Sequence, residues 1–457
     1  MTYSNDTIAA IASGGVVAAI GILRLSGPDT IAVVDRVFRP SNGKTMAETP
    51  DRKLLYGELY DEDGELLDLC LCTVSRGPNS YTGEDTAELQ CHGSPMVLRQ
   101  GLRSLFKAGA RQALRGEFTK RAFLNGRMDL SSAEAVIDII DAETPMAARN
   151  AAHQLNGAIF RRIEGVYSSL TDVCAHFHAV LDYPDEDIEE FALENYRSVL
   201  LSAESDLRTL LDTHKRSRVL DKGVPTALLG KPNAGKSSLL NALLGYDRAI
   251  VTAVPGTTRD TLSERVLLGN TLLQLTDTAG LRDTGDEVER LGVERSRSAA
   301  EGAELVLSVF DGSRSWDEED EEVKALALKA PEAVAIVNKC DLPAKLDESR
   351  LSGFGTVLHI SALTGEGLKA LDALADELFP LPQVSAGELL TNERQAEAVG
   401  RALESLRACI DALDSGITPD AVLTECEAAM DALGELTGRI MRQDVTDRIF
   451  ERFCVGK

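Results

Sequence analysis

Aromatic residues and cysteines are scarce in this chain. Aromatic side chains make up 5% of its 457 residues, and the eight cysteines are scattered, which indicates free thiols and not a disulfide scaffold. No stretch of about 18 uncharged apolar residues is present, which excludes a membrane-spanning helix. Residues 1–6 lack the basic residues that open a secretory signal. These absences predict a protein of the reducing cytoplasm.

Positive charge is also scarce. The chain has 48 lysine and arginine residues against 73 aspartate and glutamate residues, a formal net charge of −25 at pH 7. A protein that binds nucleic acid alone usually presents a basic surface, because phosphate contacts dominate the affinity. An RNA substrate would therefore require a local basic patch or a basic partner. The acidic run at residues 317–322 is expected to be a solvated helix start, where carboxylates suit the helix dipole.

The pattern of the chain predicts a multidomain α/β-plus-α protein. Residues 1–120 mix short apolar runs with turns, as in an α+β domain, and residues 121–217 have the apolar spacing of helices. Residues 218–380 alternate strands and helices, and residues 381–457 are helical again. Because the termini of a domain usually lie close together, insertion into another domain is tolerated. We therefore expect one helical domain in two pieces that carries an inserted α/β domain.

A phosphate-binding loop is predicted at residues 230–237, which read GKPNAGKS and match the pattern G-x4-G-K-[ST]. The loop follows an apolar strand and precedes a helix, so backbone N–H groups and the helix N-terminus would surround phosphates. Lys236 is expected to contact the β- and γ-phosphate oxygens. Ser237 is expected to ligate Mg²⁺.

Three further motifs follow in the order typical of small GTP-binding domains. Residues 277–280 (DTAG) end a strand and would lie near Mg²⁺ and the γ-phosphate, and residues 338–341 (NKCD) end a second strand. The Asp341 carboxylate matches the N1 and N2 donors of guanine, which adenine lacks, and residues 361–363 (SAL) would contact guanine O6. Thr258 is the expected switch threonine on Mg²⁺, and Gly269-Asn270 predicts a hairpin with one antiparallel edge strand. The motifs predict a Ras-like P-loop domain that binds and hydrolyses GTP.

Two elements of the Ras-like template are missing. Leu281 stands where a glutamine would orient the attacking water, and no arginine finger is evident in the chain. We expect Glu289 to orient the water, directly or through a bridging water. Asn233 either holds a monovalent cation beside the phosphates, which would replace the arginine charge, or only shapes the loop. The residues alone leave both readings of Asn233 open.

The chain resembles the MnmE (TrmE) family of tRNA-modification GTPases over its whole length. Outside the GTP motifs the resemblance rests on GILRLSG at 21–27, SYTGED at 80–85, ELQCHG at 88–93, GEFTKRAFLN at 116–125, DLSSAEA at 129–135 and CVGK at 454–457. The chain departs from the family pattern in residues 11–19, which lack the expected PPGRG run. It also departs at Arg127, where lysine is frequent, and at Val455, where isoleucine is usual.

The resemblance implies a homodimer joined through N-terminal folate-binding-type domains. These would bind 5,10-methylene- or 5-formyl-tetrahydrofolate through Arg24, Glu88, Arg127 and Lys457. It implies a heterotetramer-type complex with the FAD-dependent MnmG (GidA). The pair would add an aminomethyl-type group, commonly carboxymethylaminomethyl, to C5 of wobble uridine 34 of certain tRNAs. A ribosome-associated or assembly GTPase switch is the alternative.

The resemblance also implies a K⁺-stimulated GTPase in which Asn233, Thr252, Val254 and Thr257 hold K⁺. Catalysis is assigned to Glu289 and Lys236, and Mg²⁺ to Ser237 and Thr258. Cys454 is either a nucleophile for uracil C6 or a packing thiol. The residues predicted to contact GTP are Asn233, Ala234, Gly235, Lys236, Ser237, Ser238, Thr252, Ala253, Val254, Pro255, Gly256, Thr257, Thr258, Asp277, Thr278, Ala279, Gly280, Asn338, Lys339, Asp341, Ser361, Ala362 and Leu363.

Overall fold

The computed structural model describes residues 6–14, 16–182, 191–245, 264–276, 299–380, 387, 389–416, 418–440 and 443–457. The chain divides into two compact units. One comprises Met1–Ile137, His153–Asp206 and Glu397–Lys457, and the other comprises Asp138–Ala152 and Leu207–Ala396. Among the described helices, none combines the length and the apolar character that crossing a membrane requires. The predicted segments 1–120, 121–217, 218–380 and 381–457 stay a prediction.

The first unit contains a seven-stranded sheet of order β3-β4-β5-β6-β2-β1-β7. Its pairs are antiparallel except β1 with β7. Apolar side chains alternate along the strands, so Leu23 and Leu89 are buried in the core while Arg24 and Glu88 lie on the opposite face. The strands are β1 Ile8–Ile11, β2 Ala18–Ser26, β3 Phe38–Pro40, β4 Leu55–Tyr60, β5 Leu66–Ser75, β6 Thr86–Gly93 and β7 Arg111–Gln112.

Helices pack against one face of this sheet, and further helices follow it in the chain. The α2 helix begins with Pro95 at its first turn, where proline costs no backbone hydrogen bond. The helices up to the α/β segment are α1 Thr30–Val37, α2 Pro95–Lys107, α3 Glu117–Leu124, α4 Leu130–Asp141, α5 Pro145–Leu155, α6 Ala158–Asp182 and α7 Phe191–Lys222.

The second unit contains a six-stranded sheet of order β13-β12-β11-β8-β10-β9. The hairpin at Gly269-Asn270 is confirmed, and β9 is an antiparallel edge strand on an otherwise parallel sheet. Every residue of β11 is buried, as expected for a central strand covered on both faces. The strands are β8 Val224–Leu229, β9 Glu264–Leu268, β10 Thr271–Thr276, β11 Leu305–Asp311, β12 Glu332–Asn338 and β13 Thr356–Ile360.

The remaining described helices follow the phosphate loop and the last strands. They are α8 Lys236–Gly245, α9 Glu318–Ala327, a 3-10 helix Glu348–Leu351, α10 Leu368–Leu378, α11 Glu393–Asp414, α12 Pro419–Thr437 and α13 Gln443–Glu451. In the first unit, α6 packs along α12 through apolar residues that include Leu170 and Leu433. The α13 helix packs on α3, where Phe123, Phe450 and Phe453 form a small aromatic cluster.

The segment that leaves the α/β part of the second unit is fixed by polar side chains. The Asn150 side chain donates to the carbonyl of Leu389 at 3.2 Å and accepts the Gly387 N–H at 2.9 Å. The Leu390 N–H donates to Thr213 Oγ1 at 3.1 Å, and the Leu390 carbonyl accepts the Ser217 hydroxyl. Since Thr213 and Ser217 lie on α7, the helix that enters the α/β part, the entry and the exit of that part are adjacent.

Candidate functional site

The phosphate loop lies between the end of β8 and the start of α8. Two of its glycines have backbone angles that other residues rarely adopt, with φ of +148° at Gly230 and +101° at Gly235. A Cβ at Gly230 would collide with the carbonyl oxygen of Val309, and a Cβ at Gly235 with Nδ2 of Asn338. The loop therefore approaches β11 and the end of β12 more closely than a side chain would permit.

Lys236 is folded onto the backbone of this loop. Its Nζ donates to the carbonyl oxygens of Gly230 at 2.5 Å and Lys231 at 2.8 Å. Burial lowers the pKa of Lys236 to about 8, because the charged form loses hydration. Ser237 and Ser238 follow in the exposed first turn of α8, where N–H groups and the helix dipole favour an anion.

The guanine motif is joined to the phosphate loop through Asn338, which is 2% exposed. Its Nδ2 donates to the carbonyl of Ala234 at 2.9 Å, and its Oδ1 accepts the N–H of Ala362 at 3.0 Å. Asp341 Oδ1 accepts the Ser361 hydroxyl at 2.6 Å, and Leu363 is exposed. The structure thus brings residues 233–238, 338–341 and 361–363 together at the carboxyl ends of parallel strands.

Lys339 provides a second link. Its Nζ donates to the carbonyl of Asn233 at 2.9 Å and to Asp311 Oδ2 at 2.6 Å. Burial opposes the charge of Asp311, but hydrogen bonds from Lys339 and Ser313 outweigh it and lower the pKa of that carboxyl. Asn233 has φ of +62° and is exposed, and its side-chain amide has no hydrogen bond to any residue that the structure describes.

Lys231, in the phosphate loop, forms ion pairs that sequence reasoning missed. Its Nζ pairs with Asp317 Oδ2 at 2.5 Å and Asp320 Oδ2 at 3.0 Å. Burial works against the Lys231 charge, but the two carboxylates raise its pKa. The acidic run does begin a helix, and Asp317 caps it through the N–H groups of Glu319 and Asp320. The expectation of a solvated run is wrong for Asp320, which is 4% exposed because it packs beside Lys231.

A set of predicted nucleotide residues lies outside the described residues. Ser237 and Asn233 are therefore the Mg²⁺ and K⁺ candidates whose positions are known. The residues outside are Thr252, Ala253, Val254, Pro255, Gly256, Thr257, Thr258, Asp277, Thr278, Ala279, Gly280 and Glu289.

Arg24 and Glu88 face each other on β2 and β6. Arg24 Nε and Nη2 both lie 2.9 Å from Glu88 Oε1, and Arg24 Nη1 donates to the Gly456 carbonyl at 3.3 Å. The guanidinium carbon is 5.8 Å from the centre of the Tyr81 ring and 5.9 Å from that of Phe118. The side chains thus form a cluster with an arginine–carboxylate pair, two aromatic rings and the C-terminal tail.

The tail itself, residues 454–457, is attached to the start of α3. The Gly116 N–H donates to the Cys454 carbonyl at 3.4 Å, and the Phe118 N–H donates to the backbone oxygen of Lys457 at 3.1 Å. Arg127 Nε donates to the Ser80 carbonyl at 3.1 Å, in the loop that carries Tyr81. Cys454 is exposed. Three of the four predicted folate residues, Arg24, Glu88 and Lys457, therefore lie at or beside the tail.

The comparisons with known proteins cover the full chain. The family model described as GTP-binding protein TrmE N-terminus matches residues 7–127, and that of the MnmE helical domain matches residues 130–454. The chain is 42% identical over 456 residues to tRNA modification GTPase MnmE of Symbiobacterium thermophilum, with 99% of this chain and 100% of the relative covered. It is 40% identical over 461 residues to that of Alkaliphilus metalliredigens, and all of both chains is covered. The chain belongs to the MnmE family of tRNA modification GTPases.

Proposed function

We propose that the chain is a K⁺-stimulated GTPase whose nucleotide cycle drives addition of an aminomethyl-type group, commonly carboxymethylaminomethyl, to C5 of wobble uridine 34 of tRNA. The observation that carries this proposal is the junction of phosphate loop and guanine motif through Asn338. The relatives named tRNA modification GTPases support the tRNA substrate. A GTPase switch acting on the ribosome remains the second candidate.

Nucleotide binding uses groups that are already in position. Lys236 exchanges two carbonyl partners for β- and γ-phosphate oxygens, whose negative charge favours its ammonium form. Asp341, fixed by Ser361, accepts from guanine N1 and N2 and thereby selects GTP over ATP. The Ser237 hydroxyl in the first turn of α8 suits Mg²⁺, which prefers oxygen ligands and would neutralise phosphate charge together with Thr258.

Hydrolysis would rely on a cation and a carboxylate in place of the missing arginine and glutamine. Asn233 supports the cation role, because its exposed amide has no described hydrogen-bond partner. Thr252, Val254 and Thr257 would complete the K⁺ ligands, and Glu289 would orient the attacking water. K⁺ would supply positive charge beside the phosphates.

The first experiment compares GTP turnover in KCl and in NaCl, with Glu289→Ala and Asn233→Ala alongside. We expect K⁺ to raise turnover, Asn233→Ala to abolish the difference between the salts, and Glu289→Ala to remove turnover while GTP binding persists. Turnover that ignores the cation would favour a switch that needs an external activator.

The first unit would hold the one-carbon carrier, 5,10-methylene- or 5-formyl-tetrahydrofolate. The chemistry of the side chains fits such a ligand, since Glu88 offers a carboxylate to ring N–H groups and Tyr81 and Phe118 offer aromatic surfaces beside Arg24. Arg127 and Lys457 supply positive charge for the glutamate part of the ligand. Bound folate would supply the one-carbon unit. Cys454 is exposed, which favours a nucleophilic role over packing.

A homodimer joined through the first unit is supported by exposed apolar side chains on its sheet. Ile20, Tyr56, Leu66 and Leu69 are all exposed on β2, β4 and β5. Contiguous exposed apolar surface marks protein–protein contact sites. We place the enzyme in the cytoplasm, in a heterotetramer-type complex with the FAD-dependent MnmG (GidA).

A further inference from the structure

Positive charge is distributed unevenly along this acidic chain. Residues 1–127 contain 15 lysine and arginine residues and 15 aspartate and glutamate residues, so the net charge of −25 falls on the rest of the chain. Within residues 101–127 there are seven basic residues and one acid, Glu117. That basic segment meets the C-terminal tail, because Arg115 is the β-bridge partner of Val455.

Three arginines border the tail, and we name Arg115, Arg448 and Arg452 the arginine rim. Arg448 lies on α13, and Arg452 follows four residues later, in the turn that ends this helix. All three side chains are exposed. Within the described part of the chain, no hydrogen bond or ion pair engages any of their guanidinium groups, whereas the exposed Arg197 elsewhere in the unit pairs with Asp414.

The acids near the rim are largely compensated. Asp447 on α13 pairs with Lys120 at 2.6 Å. Glu117 is buried and is held by Arg111 and Arg121. Of the side chains described on α13, Glu451 is the one acid that is exposed and has no ion pair. The rim therefore keeps a net positive charge in a protein whose overall field repels anions.

We propose that the arginine rim binds the phosphate backbone of the tRNA while its wobble uridine reaches the tail. This rests on the proposed function. The exposed thiol of Cys454 lies in the chain between Arg452 and Val455, the bridge partner of Arg115, so an RNA strand bound to the rim would pass the thiol. Arginine is suited to phosphate because its planar guanidinium donates two parallel hydrogen bonds. Such contacts fix the position of the substrate without reading its sequence.

The test measures binding of a fluorescent, unmodified tRNA transcript to the full-length chain by anisotropy at several KCl concentrations. Arg115→Gln, Arg448→Gln and Arg452→Gln are compared singly and together with Arg103→Gln, a control at an exposed arginine of α2. We expect each rim variant to raise the Kd several-fold and to reduce the slope of log affinity against log salt by about 0.7 to 1. Arg103→Gln and the basal GTP turnover should not change.

Lysine at the three positions provides a control for folding and charge. The triple lysine variant should keep the salt slope and lose only part of the affinity, because it retains charge without the paired donors. A triple glutamine variant with the Kd and slope of the unaltered chain would overturn the proposal and leave the proposed function intact. A loss of folate affinity with unchanged tRNA affinity would overturn it as well. Failure of the proposed function would appear separately, as no uridine modification by the unaltered chain with partner, GTP and folate.

Discussion

Asn338 and Ala234 are joined by a hydrogen bond of 2.9 Å although 104 residues separate them in the chain. The bond runs from the side-chain amide at the end of β12 to a carbonyl of the phosphate loop. The same amide accepts the N–H of Ala362. One buried side chain therefore fixes the distance between the predicted phosphate loop and the predicted guanine loop.

The Asn338→Ala variant is expected to bind GTP more weakly, because both loops lose their common partner. Two lost hydrogen bonds correspond to about 2 kcal/mol, or a rise in Kd of roughly 30-fold. Nucleotide affinity measured with a fluorescent GDP analogue checks this. Asn270→Ala, which removes an amide bonded to Asp376 far along the sheet, is the matched control and should leave the Kd unchanged. Equal Kd values for the two variants would contradict the linking role.

Lys231→Met is expected to destabilise the second unit and to raise the KM for GTP more than it lowers kcat. The variant leaves the buried Asp320 without its cation, at a cost of about 3 kcal/mol. Thermal unfolding and steady-state turnover check both effects. Lys231→Arg, which keeps the charge, should have the stability and the KM of the native chain. A Lys231→Met variant indistinguishable from the native chain would show that the pair contributes nothing.

The Lys231 effect has a defined pH range. The pKa of Lys231 is raised above its ordinary 10.5, and that of Asp317 is lowered below its ordinary 3.8 by the hydrogen bond from Lys231. The stabilisation is therefore lost as pH rises through the raised Lys231 pKa or falls through the lowered Asp317 pKa. Across neutral pH the difference between the native chain and Lys231→Met should stay constant.

GTP binding is expected to take up a proton in alkaline solution. Burial lowers the pKa of Lys236 to about 8, so the free protein loses this charge above that pH, whereas bound phosphates restore it. Affinity should then fall by up to about tenfold per pH unit above the Lys236 pKa. Calorimetry in buffers of different ionisation enthalpy detects the proton. Lys236→Arg, which keeps its charge, should bind with no such dependence; a dependence that survives would assign it to another group.

Gly456→Ala is expected to displace the tail and weaken folate binding. Gly456 has φ of +102°, and a Cβ there would collide with the Ile11 carbonyl, so the bond from Arg24 to the Gly456 carbonyl should be lost. Gly43→Ala is the control, since Gly43 has φ of +74° but open space around it. Backbone strain should lower the free energy of unfolding of both variants by about 1 kcal/mol. Only Gly456→Ala should also raise the folate Kd, which equilibrium dialysis measures.

The sequence predicts the elements of the nucleotide site better than their connections. The motifs at residues 230–237, 338–341 and 361–363 are found at strand ends, because each motif is recognised together with the apolar strand that precedes it. The hairpin at Gly269-Asn270 is confirmed for the same local reason. The pairing of Lys231 with Asp317 was not predictable, since 86 residues separate them and many acids were available to one lysine. The contact of Arg24 with Gly456 spans 432 residues, so no local pattern in the sequence predicts it.

The adjacency of Thr213 and Leu390 has a topological consequence. The chain enters the α/β part on α7 and leaves it beside the same helix, where the Leu390 N–H donates to Thr213 Oγ1 at 3.1 Å and the Leu390 carbonyl accepts the Ser217 hydroxyl. If a few glycines and serines replaced residues 223–388, the remaining polypeptide would therefore close without stretching its backbone. The α/β part is in this sense a detachable module, open to transplantation or to circular permutation.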